Sequence, residues 1–393
     1  MKILFYRYGS ICEPDVIEAF KGAGVEVVEE TAEMTDKSIT YKDTVGIVDK
    51  LLRCDSFIFV FSINYFPALS DICNIHKVHY VSWTVDSPIQ ELFSPSLANP
   101  YSYIFMFDHA QYEYFRQINP DNIFYLPLAA NVSRYDKVLA GASQADMSKF
   151  NCDISFVGSL YSEKNPYSEV AGLSPHSTGY IDGLINAQLS LFGCNIIEDS
   201  LDDNIVKDFV RAVPQLAEPH SNDKRVIPYL IANNYIGNEI AVRERQHYLT
   251  LAADKYKVSL YTYSNSDSIP KIINKGGAKT HTEMPLIFNN SKINLNITIR
   301  PIQTGLSLRV FDICACGGFL FTNYQAELPD FYNIGEEVEA YASEEEFLDK
   351  LNYYMTHDKE RLAIARKGYE KTVACHTYQH RINEMMRILL EHY

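Results

Sequence analysis

The sequence is short of positive charge. Its 393 residues hold 35 Lys+Arg against 50 Asp+Glu, a formal net charge of −15. A protein whose main task was to coat nucleic acid or an anionic membrane would be opposed by its own long-range field. A local basic pocket for a phosphate is left open. Long hydrophobic runs are also missing, and no window approaches the roughly 20 apolar residues of a membrane span. The apolar start, Lys2–Tyr8, is too short for a signal-peptide core and lacks a small-residue cleavage site. A cytoplasmic protein without an integral membrane segment is therefore expected. The eight cysteines show no CxxC pairing, so they are expected to be buried and reduced rather than bridged or metal-bound. There is no G-x-G-x-x-G and no G-x-x-x-x-G-K-[ST], which argues against a dehydrogenase or an NTPase. No acidic run matches a calcium loop.

What is present is an ordinary globular balance, 47% hydrophobic and 22% charged, rich in aromatics with 28 Tyr and 21 Phe. At roughly 100–200 residues per domain, two or three domains are expected. Near-continuous apolar runs occur at 2–8, 25–30, 57–63, 78–85, 103–107 and 122–129. Such runs fit strands of a parallel sheet buried on both faces. EPDVIEAFKGAG lies between the first two, with Pro14 suited to a first helical turn and Gly22 and Gly24 to its end. The polar stretch 136–150 reads as a linker. A second unit opens with a strand and loop at 152–161 and is largely helical over 180–256. Strand-like runs resume at 257–263, 292–299 and 317–323. Helices follow, with a capping box at Ser343 and Glu346 and a last apolar stripe at Ile382, Met385, Met386, Leu389 and Leu390. The alternation predicts α/β architecture with two Rossmann-like halves.

In open α/β sheets, ligands bind outside the carboxyl ends of the strands. Tyr8 and Gly9 follow the first strand there. Asp86, in S-W-T-V-D-S-P, is either a cleft carboxylate serving as general base or hydroxyl ligand, or a turn cap. Asp108 is in the same position after the fifth strand, where capping is the stronger reading. His376 and His380 have i, i+4 spacing, but H-T-Y-Q-H lacks the Glu of H-E-x-x-H, so packing rather than zinc is expected. The densest constellation is 294–331. Arg300 and Arg309 flank a loop entering a helix that bears Asp312. Forked Arg donors and a helix N-terminus suit a nucleoside diphosphate, and a carboxylate suits ribose hydroxyls. Alternatively, Arg309 and Asp312, three apart on a helix, pair with each other.

SLRVFDICACGGFLFTNYQAELPDFYNIGEEVEAYASEEEFLDKLNYY and HDKERLAIARKGYEKTVACHTYQHR resemble the C-terminal half of CgeB-type (spore-maturation-protein-like) GT-B glycosyltransferases. YVSWTVDSP, NPYSYIFMFDHAQ, YLPLAAN and DISFVGSLY are similar to the amino-terminal module that accompanies it. The resemblance implies a GT-B fold of two facing Rossmann-like domains. An acceptor-side domain would span 1–150, and a donor-binding domain 151–375 with a helical insert at about 165–245. A helix at 376–393 would return to the first domain. It further implies a metal-independent enzyme with no cofactor, taking a nucleotide-diphosphate sugar as donor. The acceptor would be a protein, such as flagellin, or a surface glycan. Arg309 would contact the diphosphate, with Arg300 and Asn296 in the same cleft and Thr304–Gly305 in the loop facing the sugar phosphates. Asp312 stands at the second Glu of the E-x7-E pattern of retaining relatives, while Thr304 replaces the first. Asp86 would be the catalytic base of an inverting reaction, with Tyr8, Gly9 and Asp108 lining the acceptor side. Two other readings fit the same residues: a nucleotide- or sugar-binding protein without turnover, and a GT-B subunit that has lost catalysis.

Overall fold

A computed structural model describes residues 1–217 and 223–392. The chain divides into two compact units. Unit 1 holds Met1–Ala129 and the C-terminal segment from Thr377; unit 2 holds nearly all of Ala130 to His376.

Unit 1 carries a six-stranded parallel sheet of β1 (Lys2–Tyr6), β2 (Glu26–Glu30), β3 (Phe59–Ile63), β4 (His79–Trp83), β5 (Ser102–Met106) and β6 (Ile123–Tyr125). The order is β2-β1-β3-β4-β5-β6, so the strand sequence reverses between β1 and β3. β3 and β5 are buried at every residue, as their unbroken apolar sequences predict. Edge strand β2, EVVEE, is the exception, with its glutamates turned outward. The Glu13–Gly22 helix begins with Pro14 in its first turn. The C-terminal helix Tyr378–His392 packs against it, burying Ile382, Met385, Met386 and Leu389. Leu390, expected on the same stripe, is 64% exposed. Arg381 anchors the helix by donating from Nε to the Pro127 carbonyl, 2.9 Å away.

Unit 2 carries a second six-stranded parallel sheet of β7 (Cys152–Val157), β8 (Val258–Tyr261), β9 (Ile273–Asn274), β10 (Ser291–Asn296), β11 (Leu320–Asn323) and β12 (Glu339–Tyr341). Its order is β12-β11-β10-β7-β8-β9. This is the doubly wound 3-2-1-4-5-6 arrangement, with its topological switch point between β7 and β10. The predicted helical insert lies between β7 and β8. It includes the Pro175–Leu189 and Asp203–Ala212 helices and a π turn, Ile231–Ile236, that runs into the Gly237–Lys255 helix.

The expected linker at 136–150 is instead mostly helix, Val132–Gly141 and Gln144–Lys149. Both helices pack on the Met284–Asn290 helix of unit 2. The compact units accordingly divide at Ala129/Ala130 rather than at 150, because Val132, Tyr135 and Phe150 bury their side chains in unit 2. All eight cysteines are free, but Cys54 and Cys194 are exposed, contrary to the expectation of uniform burial. Of the expected Ser343/Glu346 box, only half forms: the Ser343 hydroxyl accepts from the Glu346 amide, while the Glu346 carboxylate takes the Ala342 amide.

Candidate functional site

In unit 2, a cavity of about 310 Å³ opens at the carboxyl ends of β7 and β8, beside the switch point. Its walls include Gly158, Ser159 and Lys164 after β7, Thr262 and Ser264 after β8, and Arg309. Arg309 is in the first turn of the Leu308–Ala315 helix, which has no acidic residue there. A cation at that end opposes the helix dipole, so the position favours an anion nearby. The Arg309 guanidinium lies 5.4 Å from the Phe288 ring centre and donates from Nη1 to Asp312 Oδ2 at 3.1 Å. Its side chain remains 22% exposed. The Ser307 hydroxyl just before this helix is buried with no hydrogen-bond partner and caps nothing.

The structure separates the predicted donor residues. Arg309 alone of them lines the cavity. Asp312 is buried behind it, accepting also from the Tyr135 hydroxyl at 2.6 Å. Burial raises the Asp312 pKa above the usual carboxylate value, against the opposing pull of Arg309. The pairing alternative therefore holds, and Asp312 fixes the arginine. Arg300 is not beside Arg309. It is 3% exposed and forms a forked ion pair with Glu244, which is 1% exposed, with Nη2 to Oε1 at 2.5 Å. Asn296 is buried at the end of β10, donating to the Thr298 and Thr322 hydroxyls. Thr304 donates to Glu327 at 2.6 Å, and the Gly305 carbonyl accepts from Gln325. Those two contacts hold the loop rather than opening it to a ligand.

Arg245 was not anticipated. It lies on the Gly237–Lys255 helix, 8% exposed, donating to the carbonyls of Ser159 and Ile297 and stacking 4.7 Å from the Tyr161 ring centre. No carboxylate pairs with it among the described residues, its Nε has no partner, and burial lowers its pKa. Arg245, buried behind the Ser159 wall, adds positive charge to the cavity, opposed by Glu163 in its lining and by nearby Glu244. A sequence signal existed: Ala241, Glu244, Arg245, Tyr248 and Ala252 share one helical face, so two charges interrupt an apolar stripe.

In unit 1, a cleft of about 280 Å³ lies at the switch point where β1 and β3 end, and Tyr8, Asn64, Phe66, Asp86 and Glu91 are in its walls. Asn64 is left-handed, φ +56°, and organises the cleft. Its amide donates to the Tyr8 hydroxyl at 2.9 Å and to Asp86 Oδ2 at 2.7 Å, and its carbonyl oxygen accepts from the Val85 amide at 2.9 Å. Burial raises the Tyr8 pKa, with the Asp86 charge adding to it. Asp86 is thus an exposed, oriented carboxylate at the cleft. Gly9 does not line it; its amide is bound by Glu13. Asp108 is fully buried and caps the His109–Phe115 helix through the Ala110 amide, so it is a cap and not a cleft residue. His376 is buried against Phe331, as packing predicted.

Residues 243–387 match the family described as glycosyl transferase-like. This glycosyl transferase-like stretch contains Arg309, which lines the unit 2 cavity, and also Arg245, Arg300 and Asp312. A search of the curated proteins finds no match. Among solved structures, HepE of Anabaena in complex with UDP-glucose is 11% identical, covering 100% of both chains with a TM-score of 0.56. A UDP-forming α,α-trehalose-phosphate synthase from Burkholderia xenovorans is 9% identical over 99% of this chain and 98% of its own, TM-score 0.53. Sucrose-phosphate synthase from Thermosynechococcus elongatus is 9% identical over 100% of both, TM-score 0.52. At these identities the likeness establishes the fold, which is GT-B. Among the described residues, no helix is long and apolar enough to cross a membrane, and no group of three or more His, Cys, Asp or Glu is placed to hold a metal.

Proposed function

We propose that the chain is a glycosyltransferase that moves a sugar from a nucleoside-diphosphate donor, a UDP-sugar first among candidates, to a hydroxyl acceptor on a glycan or protein. The observation that carries this reading is Arg309 in the first turn of a helix at the unit 2 switch point, with its guanidinium on the cavity. Lys164, also in the cavity lining, and buried Arg245 add positive potential suited to a diphosphate, against the opposing charge of Glu163. The glycosyl transferase-like match, and a similar fold in HepE bound to UDP-glucose, support a nucleotide sugar over other diphosphates.

In the proposed reaction the bond from the anomeric carbon to the diphosphate oxygen breaks, and the acceptor oxygen forms the new bond. The departing diphosphate is stabilised electrostatically by the arginines and lysine, and Asp86 takes the acceptor proton. No divalent metal is required in this scheme. The test is release of nucleoside diphosphate from UDP-, GDP-, CDP- and dTDP-sugars, with and without EDTA. Turnover of at least one donor, unaffected by chelation, is expected. Absence of turnover and binding for all four would overturn the reading, and loss on chelation would overturn its metal-free part.

A further inference from the structure

We propose that the unit 1 cleft takes an uncharged polyhydroxyl acceptor, a glycan hydroxyl, and rejects phosphorylated or carboxylated ones, with Glu13 as the residue that enforces the choice. The turn after the first strand of a doubly wound sheet, where backbone amides and a helix N-terminus converge, is the fold's natural anion seat. Here the chain fills that seat itself. Glu13, the first residue of its helix and fully buried, accepts from the Tyr8 and Gly9 amides at 2.9 Å each through one carboxylate oxygen. Its other oxygen accepts from Arg7 Nε at 3.0 Å.

Arg7 is committed in this way, while the exposed Lys37 has a carbonyl and, among the described residues, no carboxylate as its partner. Arg7 also donates to Glu29 at 2.7 Å, and Lys37 donates to the Tyr8 carbonyl. None of the eight residues lining the cleft is Lys, Arg or His, and two, Asp86 and Glu91, are carboxylates. An anionic ligand would therefore meet two like charges with its amide seat occupied. A sugar meets what it needs instead: acceptors in Asp86 and Glu91, the Tyr8 hydroxyl, and two aromatic lining residues, Tyr65 and Phe66. Asn64, whose amide is already spent on Tyr8 and Asp86, holds those two in place.

This inference rests on reading the cleft as the acceptor side of the proposed transferase, and binding measured without donor separates its fate from that of the donor site. Saturation-transfer NMR on the full chain would compare glucose and mannose with their 6-phosphates, with UDP binding checked on the same sample. The hexoses are expected to bind at least about tenfold tighter than the phosphates. Equal or tighter binding of the phosphates, or binding of neither member, would overturn the proposal whether or not UDP binds. Glu91→Lys, at an exposed wall position, should bring phosphate binding up to or past that of the hexose. An unchanged preference in that variant would show that the sugar binds elsewhere and sink the assignment. Glu13→Gln keeps an oxygen for the two amides but removes the buried negative charge and releases Arg7 from it, and should raise phosphate affinity alone; unaltered selectivity would remove Glu13 as its cause.

Discussion

The ion pair between Glu244 and Arg300 separates two accounts of the same arginine. On sequence grounds Arg300 belongs with the donor; in the structure it is a buried half of a structural pair, also donating to the Leu191 carbonyl at 2.8 Å and stacking 5.0 Å from the Phe192 ring centre. Glu244→Ala leaves a cation that is 3% exposed without its counter-charge. Breaking a buried pair this way costs about 3–5 kcal/mol. For a domain of this size, at about 2–4 °C per kcal/mol, the melting temperature of unit 2 should fall by about 6–20 °C. Arg300→Met should cost less, because the stranded Glu244 can take a proton. Burial already raises its folded pKa above 4.5, with Arg300 opposing. A carboxyl whose folded pKa is raised is best tolerated at low pH and increasingly costly as pH rises from its unfolded pKa toward the folded one. The deficit of Arg300→Met should therefore shrink as pH falls toward 5 and grow toward 8. The double variant Glu244→Ala/Arg300→Met should recover about 2 kcal/mol or more relative to the sum of the singles, since no charge is left behind. Urea and thermal unfolding of the four proteins measure the cycle. A Glu244→Ala loss below about 1 kcal/mol, or strict additivity, would refute the buried-pair reasoning. If the double variant loses UDP affinity about tenfold while staying folded, Arg300 is a donor ligand after all; a change within about threefold is expected.

Three further outcomes follow from local geometry. Arg245→Met should leave stability within about 1 kcal/mol, because removal of a buried charge with no directly paired carboxylate among the described residues offsets its lost carbonyl bonds, while weakening UDP binding about tenfold; calorimetry reads both. Gly368→Ala, which in an open helix would gain about 1 kcal/mol, should instead destabilise, because a Cβ there would meet the Glu337 carbonyl oxygen at 2.3 Å. Thermal unfolding gives the sign. Iodoacetamide on the native protein at pH 8 should mark Cys54 and Cys194 first, while Cys12 and Cys314, whose thiols burial pushes up to about 12, stay unmodified; peptide mass spectrometry identifies the sites.

Much of the scaffold could be read directly from residue order. Runs such as FIFVFSI and CDISFV are mainly apolar without strict alternation, which fits strands buried on both faces of a parallel sheet. The short edge strands β9 and β12, of two and three residues, were not legible, because periodicity needs length. The 136–150 stretch looked like a linker because its polar residues are spread along it with no long apolar run, yet the buried anchors Tyr135 and Phe150 at its ends tie it to unit 2. The site was harder still, because its decisive contacts are remote in sequence. Arg300 finds Glu244 56 residues away, and Asp312 finds Tyr135 177 residues away. Neither distance leaves a local pattern. Glu13 was hidden for the opposite reason: an acid in a first helical turn is so ordinary a cap that nothing marks it as occupying a ligand's place.

The central claim is that Arg309 presents a donor-diphosphate site in unit 2. Isothermal titration of UDP into the wild-type chain and into Arg309→Ala tests it most directly, with circular dichroism confirming that the variant is folded. Saturable binding to the wild type, weakened about tenfold or more by the substitution, is the predicted result. Equal UDP affinity in the two proteins would contradict the account.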